Sequence, residues 1–132
     1  MHQTINMIKK NIFSIIVSLG ILYLSFASSQ TFESFYLFKI PYGDKVAHFI
    51  LYFFLMAVII IEHKNSFPNT RILVLIALIP FCFGALIEFF QFSISDDRKG
   101  EILDLICNSA GITSALFLWL VFRPYYTKEK VK

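Results

Sequence analysis

Four long apolar segments constrain this chain more than any other feature of its sequence. An α-helix rises about 1.5 Å per residue, so about 20 apolar residues cross a hydrocarbon core roughly 30 Å thick. Of the 132 residues, 57% are hydrophobic and only 16% are charged, a composition unlike that of soluble domains. We therefore predict an all-α polytopic membrane protein, a single domain over residues 1–132 with four transmembrane helices in an antiparallel bundle: Asn11–Ser29, Lys45–Ile61, Ile72–Gln91 and Ile102–Phe122.

The basic residues predict how these helices are oriented. With four spans, eight of the twelve lysines and arginines fall on the side of the two termini, and four fall on the other side. Positive residues near helix ends favour the cytoplasm, so both termini are expected there. The first segment follows Lys9-Lys10 and ends in small residues, as a signal peptide does, but its apolar run is long and we expect a retained helix.

The segment between the first and second helices is rich in aromatic residues. Residues 30–43 contain five phenylalanines and tyrosines, and the only charged residues among them are Glu33 and Lys39. Amphipathic aromatic rings prefer the headgroup zone, so a short interfacial segment is predicted here. An aromatic anchor is the simpler interpretation, and a lid over a polar site or a groove for an acyl chain is the alternative.

Polar side chains concentrate near the helix ends that this topology brings to the outer side. Ionisable residues within membrane spans are costly and usually functional, and residues four apart in a helix share one face. A polar site is therefore predicted at the outer membrane face. Its candidates come from the start of the second helix, the end of the third, the next loop and the start of the fourth: Asp44, Lys45, His48 and Tyr52; Glu88 and Gln91; Arg98; Asp104 and Asn108.

Small residues predict where two helices approach closely. Gly84 on the third helix and Gly111 on the fourth favour close packing between these two helices, which would bring Glu88 near Asp104. Asp44 is expected to cap the second helix and to hold His48 in one tautomer. The charged residues of the loop before the fourth helix, Arg98 apart, are interpreted as a solvated turn: Asp96, Asp97, Lys99 and Glu101.

In their order and spacing, these polar residues resemble a known family. Over residues 44–111 the chain is similar to the VanZ-like family of small bacterial membrane proteins, through Asp44-Lys45, His48, Tyr52, Glu88-x-x-Gln91, Arg98 and Asp104-x-x-x-Asn108-x-x-Gly111. The resemblance implies a multi-pass protein of the bacterial cytoplasmic membrane that is linked to the cell envelope. The name-giving member lowers sensitivity to the glycopeptide teicoplanin. The resemblance carries no catalytic roles to individual residues.

The chemistry of the candidate residues favours binding of, or reaction on, a lipid-linked or anionic envelope ligand, for example one that bears a phosphate. Arg98 and Lys45 are expected to hold a phosphate or carboxylate, because guanidinium and ammonium groups suit such oxygens. His48 or Glu88 is the candidate general acid or base, and Asp104 would orient His48 or a water. The remaining candidates contribute to ligand binding: Asp44, Tyr52, Gln91 and Asn108.

Other functions stay open at this point. An ion network of Glu88, Arg98 and Asp104 could fix helix packing without any catalysis. Nitrogen and oxygen donors from His48, Glu88 and Asp104 would suit zinc or manganese, but no close ligand pair supports a metal, so no metal or other cofactor is expected. No basic block with interleaved aromatics is present, so nucleic acid is not an expected partner. Membrane lipids are expected partners, and the oligomeric state is left open.

Overall fold

The computed structural model describes residues 1–27, 34–64, 69–94 and 101–129. Within these ranges the chain is helical and has no strand, which confirms the all-α prediction. The helices are α1 (His2–Lys10), α2 (Ile12–Phe26), α3 (Tyr36–Lys39), α4 (Gly43–His63), α5 (Thr70–Ile94) and α6 (Ile102–Glu129).

Three of the described helices are long and apolar enough to cross a membrane. They are α4, α5 and the part of α6 from Ile102 to Pro124. The pair Gln3–Lys10 and Ile12–Phe26 passes the same test only when taken together, and the two helices meet at a bend of 67°. Three spans, or four where the bent pair counts as one, agree with the predicted polytopic bundle.

The bend between α1 and α2 falls at Asn11. Its backbone leaves the helical region, with φ −114° and ψ 18°, and its side-chain amide donates to the carbonyl oxygen of Met7 at 2.8 Å. An asparagine side chain competes in this way for backbone hydrogen bonds and so interrupts a helix. The sequence prediction began the first helix at Asn11 and did not anticipate α1.

The described part of the aromatic segment leads into α4. Tyr42 has φ 62°, in the left-handed region, and this turns the chain from α3 to the first residue of α4, Gly43. The rings of Phe35, Tyr36 and Tyr42 are all exposed. Exposed amphipathic rings at the entrance of a spanning helix suit the headgroup zone.

The centre of the bundle is α4, which contacts α2, α3, α5 and α6 and lies closest to α6. Its side chains Tyr52, Leu55 and Met56 are almost wholly buried, and they belong to one core with Leu73 of α5 and Ile112 of α6. Large apolar side chains cover much of the outer surface. A surface this apolar is favourable in contact with lipid and unfavourable in contact with water.

Two glycines permit the close approach of helices, and both involve α4. A Cβ atom on Gly111 would collide with the carbonyl oxygen of Phe49 and stand 2.8 Å from the backbone nitrogen of Phe53. A Cβ atom on Gly84 would stand 3.0 Å from the ring of Tyr52 and 3.1 Å from the amide nitrogen of Asn108. The predicted packing of Gly111 against the third span is therefore wrong, because the backbone of α4 occupies that position.

At the other end of α4, Glu62 caps the start of α2. Its Oε1 accepts the backbone N–H groups of Phe13 at 2.7 Å and Ser14 at 3.2 Å. We expect Glu62→Ala to lower the free energy of unfolding by about 1 kcal/mol, the usual value of a helix cap. Thermal unfolding in detergent measures this loss.

The matched control is Glu62→Gln, which keeps an amide oxygen as acceptor and should recover more than half of the stability. Equal losses for alanine and glutamine would contradict a capping role, because they would mean that the charge matters and the acceptor does not.

Candidate functional site

The site is built where α4 begins, α5 ends and α6 begins. These three helix ends lie together because consecutive spans run in opposite directions. The end of α2 joins them, since the side-chain amide of Gln91 donates to the carbonyl oxygen of Ser25 at 2.6 Å. Residues that are far apart in the sequence therefore lie near one another at one end of the bundle.

His48 lies between two carboxylates. Its Nδ1 is 3.7 Å from Oε1 of Glu88, and its Nε2 is 3.9 Å from Oδ2 of Asp104. The three side chains are 12%, 9% and 9% exposed, in the order His48, Glu88 and Asp104. One donor atom from each residue can be chosen so that all three lie within 4.8 Å of one another. We call these three residues the histidine–carboxylate cluster.

Asn108 fixes the imidazole of His48. Its Oδ1 lies 3.0 Å from Nδ1 of His48, a hydrogen bond in which the ring N–H donates. With the proton on Nδ1, the lone pair of the imidazole is on Nε2, which faces Asp104. Asp44 was predicted to hold this tautomer, but its carboxylate contacts Lys45 instead.

Among the described residues of the site, Lys45 carries the positive charge, and it contacts three carboxylates. Its Nζ lies 2.6 Å from Asp44, 2.6 Å from Glu101 and 2.7 Å from Oδ1 of Asp104. The ammonium group therefore joins the first turn of α4 to the first turn of α6. A lysine engaged by three carboxylates has little capacity to hold a further anion, which weakens the predicted role of Lys45 as an anion holder.

Glu101 is the residue of this site that the sequence analysis missed. It was interpreted as part of a solvated turn, yet its carboxylate shares the Lys45 ammonium with Asp104. The signal was present in the spacing, because Glu101 directly precedes α6 and Asp104 lies in its first turn, where the backbone N–H of Asp104 donates to the carbonyl oxygen of Glu101.

Tyr52 and Asn108 form the inner wall of the site. They are each 1% exposed, and both side chains pack against Gly84, where there is no Cβ atom to keep them away. Tyr52 follows His48 by one helical turn on α4, as the sequence predicted, so it lies deeper in the bundle. Its position under the cluster closes the site on the side of the core.

Two further candidate residues, Gln91 and Arg98, have no described contact with the cluster, for different reasons. Gln91 is buried, and its amide links α5 to the end of α2, which is a packing contact. Arg98 lies outside the described residues, so its predicted role remains a prediction.

The cluster has the chemistry of a proton-transfer or cation-binding site. A basic imidazole nitrogen and a carboxylate oxygen, Nε2 of His48 and Oδ2 of Asp104, face each other, and both are acceptors. A hydroxyl group, a water or a cation placed between them would satisfy both atoms. The described groups of the site carry more negative than positive charge, because three carboxylates contact Lys45 and the carboxylate of Glu88 faces His48.

Together these features define a class: a polytopic helical membrane protein with a buried histidine–carboxylate cluster at one end of its bundle. The chain belongs to the VanZ/LLP1 family, whose family model matches residues 2–123. The predicted likeness to the VanZ-like family is thus confirmed, and the match also includes α1 and α2, which lie outside the motif residues. Neither a search of curated proteins nor a search of solved structures gives a match.

Proposed function

We propose that this protein binds a lipid-linked ligand of the bacterial cell envelope and acts on it by acid–base chemistry at the histidine–carboxylate cluster. The observation that carries the proposal is the position of His48 between Glu88 and Asp104, all three largely buried. Ionisable groups inside a membrane span are costly and usually mark a functional site.

The proposed location is the cytoplasmic membrane, with both termini in the cytoplasm and the cluster toward the outer leaflet. Basic residues support this orientation, because those at the end of the bundle away from the cluster outnumber those near it. Among the described residues they are Lys9, Lys10, Lys64, Arg71, Arg123 and Lys128 against Lys39 and Lys45. Positive residues favour the cytoplasmic side.

The charge of the site indicates which part of the ligand it would contact. Carboxylates and the Nε2 lone pair are acceptors, so they suit hydroxyl groups of a lipid head group. A phosphate, by contrast, would have to displace one of the carboxylates from Lys45. We therefore assign recognition of the ligand to its hydroxyl groups, with the apolar tail in the surrounding lipid.

In the proposed reaction, Nε2 of His48 accepts a proton from a ligand hydroxyl or from water. Asn108 holds the opposite ring nitrogen, which keeps Nε2 available as the base. Glu88, 3.7 Å from the ring, would stabilise the imidazolium that forms. The oxygen that loses its proton then attacks an ester centre of the ligand, the bond to the ester's leaving oxygen breaks, and the imidazolium of His48 returns its proton to that leaving oxygen.

The test is whether conservative changes in the cluster remove ligand binding while the fold survives. The protein would be purified in a mild detergent with total bacterial lipid extract, and the retained lipids identified by native mass spectrometry. We expect His48→Gln and Glu88→Gln to lower retention of a specific head-group lipid at least about tenfold, a loss of about 1.4 kcal/mol.

The matched controls are His63→Gln and Glu62→Gln, which make the same chemical changes at the other end of α4 and should retain the lipid. Equal and unselective lipid retention by all five proteins would disprove the ligand site.

A non-catalytic role as a packing network is the second candidate, and one contact favours it. The 2.7 Å ion pair between Lys45 and Asp104 joins α4 to α6 directly. On this alternative, Glu88→Gln and His48→Gln would lower thermal stability and expression together, because breaking a buried network destabilises the bundle. Stable variants without lipid retention would exclude it.

A further inference from the structure

The donor atoms of His48, Glu88 and Asp104 form a set that fits a divalent cation. We propose that the histidine–carboxylate cluster binds one divalent transition-metal ion, zinc or manganese. One nitrogen and two carboxylate oxygens lie within 4.8 Å of one another. Imidazole and carboxylate are the donors that these two ions accept, and no thiolate is needed.

The spacing of the donor atoms is close to what a bound ion requires. Ligand bonds of about 2.1 Å in a tetrahedral site place donor atoms about 3.4 Å apart. Nε2 of His48 and Oδ2 of Asp104 are 3.9 Å apart, so a small rotation of either side chain closes this pair around an ion. Oε1 of Glu88 lies 3.7 Å from Nδ1 of His48, so its side chain, which has three rotatable bonds, must turn toward Nε2 to supply the third donor.

The neighbouring contacts orient two of these donors as metal sites do. A histidine ligand usually donates its other ring N–H to an oxygen, and Asn108 accepts from Nδ1 of His48 at 3.0 Å. Lys45 binds Oδ1 of Asp104 at 2.7 Å, which leaves Oδ2 directed at Nε2 of His48. The two atoms that would bind the ion are thus the two that face each other.

Two further features support a bound cation: the excess of negative charge in the site and a buried amide N–H donor that lacks an acceptor. Three carboxylates contact Lys45, and a fourth, that of Glu88, faces His48. A divalent ion would offset much of the excess negative charge of these described groups. The amide nitrogen of Asn108 is buried, and it has no hydrogen-bond acceptor among the described residues. An oxygen bound to the ion, from water or from a ligand, would give that amide its acceptor.

An ion at this position would also change how the site receives a ligand. Three protein donors leave at least one coordination position open. A phosphate or hydroxyl of the ligand would then bind the ion, and the ion would provide the attraction for anions that Lys45 does not. An ion on Nε2 would also occupy the lone pair that the proposed reaction uses, so His48 would then be a metal ligand and not the base. These consequences depend on the proposed function, whereas the binding of the ion does not.

The test measures metal binding without any lipid ligand. Metal would be removed from the detergent-solubilised protein with EDTA, followed by dialysis and titration with Zn²⁺ or Mn²⁺ alone. The number of bound ions per chain would be measured by elemental mass spectrometry. We expect one ion per chain in the wild type. Affinity should fall at least about tenfold in His48→Gln, Glu88→Gln and Asp104→Asn, and it should fall about 10- to 100-fold in Asn108→Ala.

Two controls, His63→Gln and Glu62→Gln, should bind like the wild type. Pulsed electron paramagnetic resonance of the Mn²⁺-loaded wild type gives a readout that needs no variant to fold, because a bound imidazole nitrogen couples to the ion. A folded wild type that binds no ion, or an ion without nitrogen coupling, would overturn the proposal. Lipid retention is measured separately, so a failed metal site leaves the ligand-binding proposal standing, and the reverse also holds.

Discussion

Replacing Gly111 with alanine is expected to lower the stability of this bundle more than the same change at Gly20 or Gly84. The added Cβ would collide with the carbonyl oxygen of Phe49 and stand 2.8 Å from the nitrogen of Phe53. Both atoms belong to the backbone of α4, so no side chain can rotate away, and α4 and α6 must separate. We expect a loss of about 3 kcal/mol, at the upper end of overpacking effects.

The matched control is Gly20→Ala on α2, where an added Cβ meets nothing within 4 Å. Alanine favours a helix over glycine by about 1 kcal/mol, so this variant should be as stable as the wild type or more stable. Thermal unfolding of both variants in the same detergent gives the comparison. A Gly111→Ala protein as stable as Gly20→Ala would show that α4 and α6 are not in backbone contact.

This contact also controls the geometry of the site. Gly111 follows Asn108 by three residues on α6, and Phe49 follows His48 directly on α4. The distance between the two helices at Gly111 therefore determines whether Oδ1 of Asn108 can reach Nδ1 of His48. These two atoms are 3.0 Å apart. A variant that separates the helices should weaken metal or ligand binding even though it changes no side chain of the cluster.

The depth of the polar residues could be predicted from the sequence. The lengths of the apolar segments give antiparallel spans, and counting along them puts His48, Glu88 and Asp104 near the same end. The structure brings donor atoms of these three residues within 4.8 Å of one another. Topology alone supplies this result, because a helix has a fixed rise per residue.

The rotation of each helix could not be predicted in the same way. In a membrane bundle, the face toward lipid and the face toward the core are both apolar, so the sequence gives little sign of which residue meets which helix. Gly111 was consequently assigned to the wrong neighbour, and the contact of Glu101 with Lys45 was not anticipated. The break at Asn11 was missed because it depends on one local hydrogen bond to Met7.

Removing the ammonium group of Lys45 is expected to be the most damaging change of charge in the site. In Lys45→Met, Asp104 would lose its counter-ion at 2.7 Å while its side chain is only 9% exposed. Breaking a buried ion pair in this way costs about 3–5 kcal/mol, because the remaining charge stays in a poorly solvated place. Asp44 and Glu101 contribute less to the loss, since their side chains are 40% and 53% exposed.

Two further variants distinguish this mechanism from a general loss of positive charge. Lys39→Met removes a lysine from the exposed surface of α3 and should change stability by less than about 0.5 kcal/mol. The double variant Lys45→Met with Asp104→Leu replaces the pair by apolar groups and should recover most of the lost stability, because no buried charge is left alone. Thermal unfolding of the wild type, Lys45→Met, Asp104→Leu and the double variant gives the coupling energy between Lys45 and Asp104. A single Lys45→Met variant as stable as Lys39→Met would mean that water solvates the pair, and the buried character assigned to the whole cluster would then be wrong.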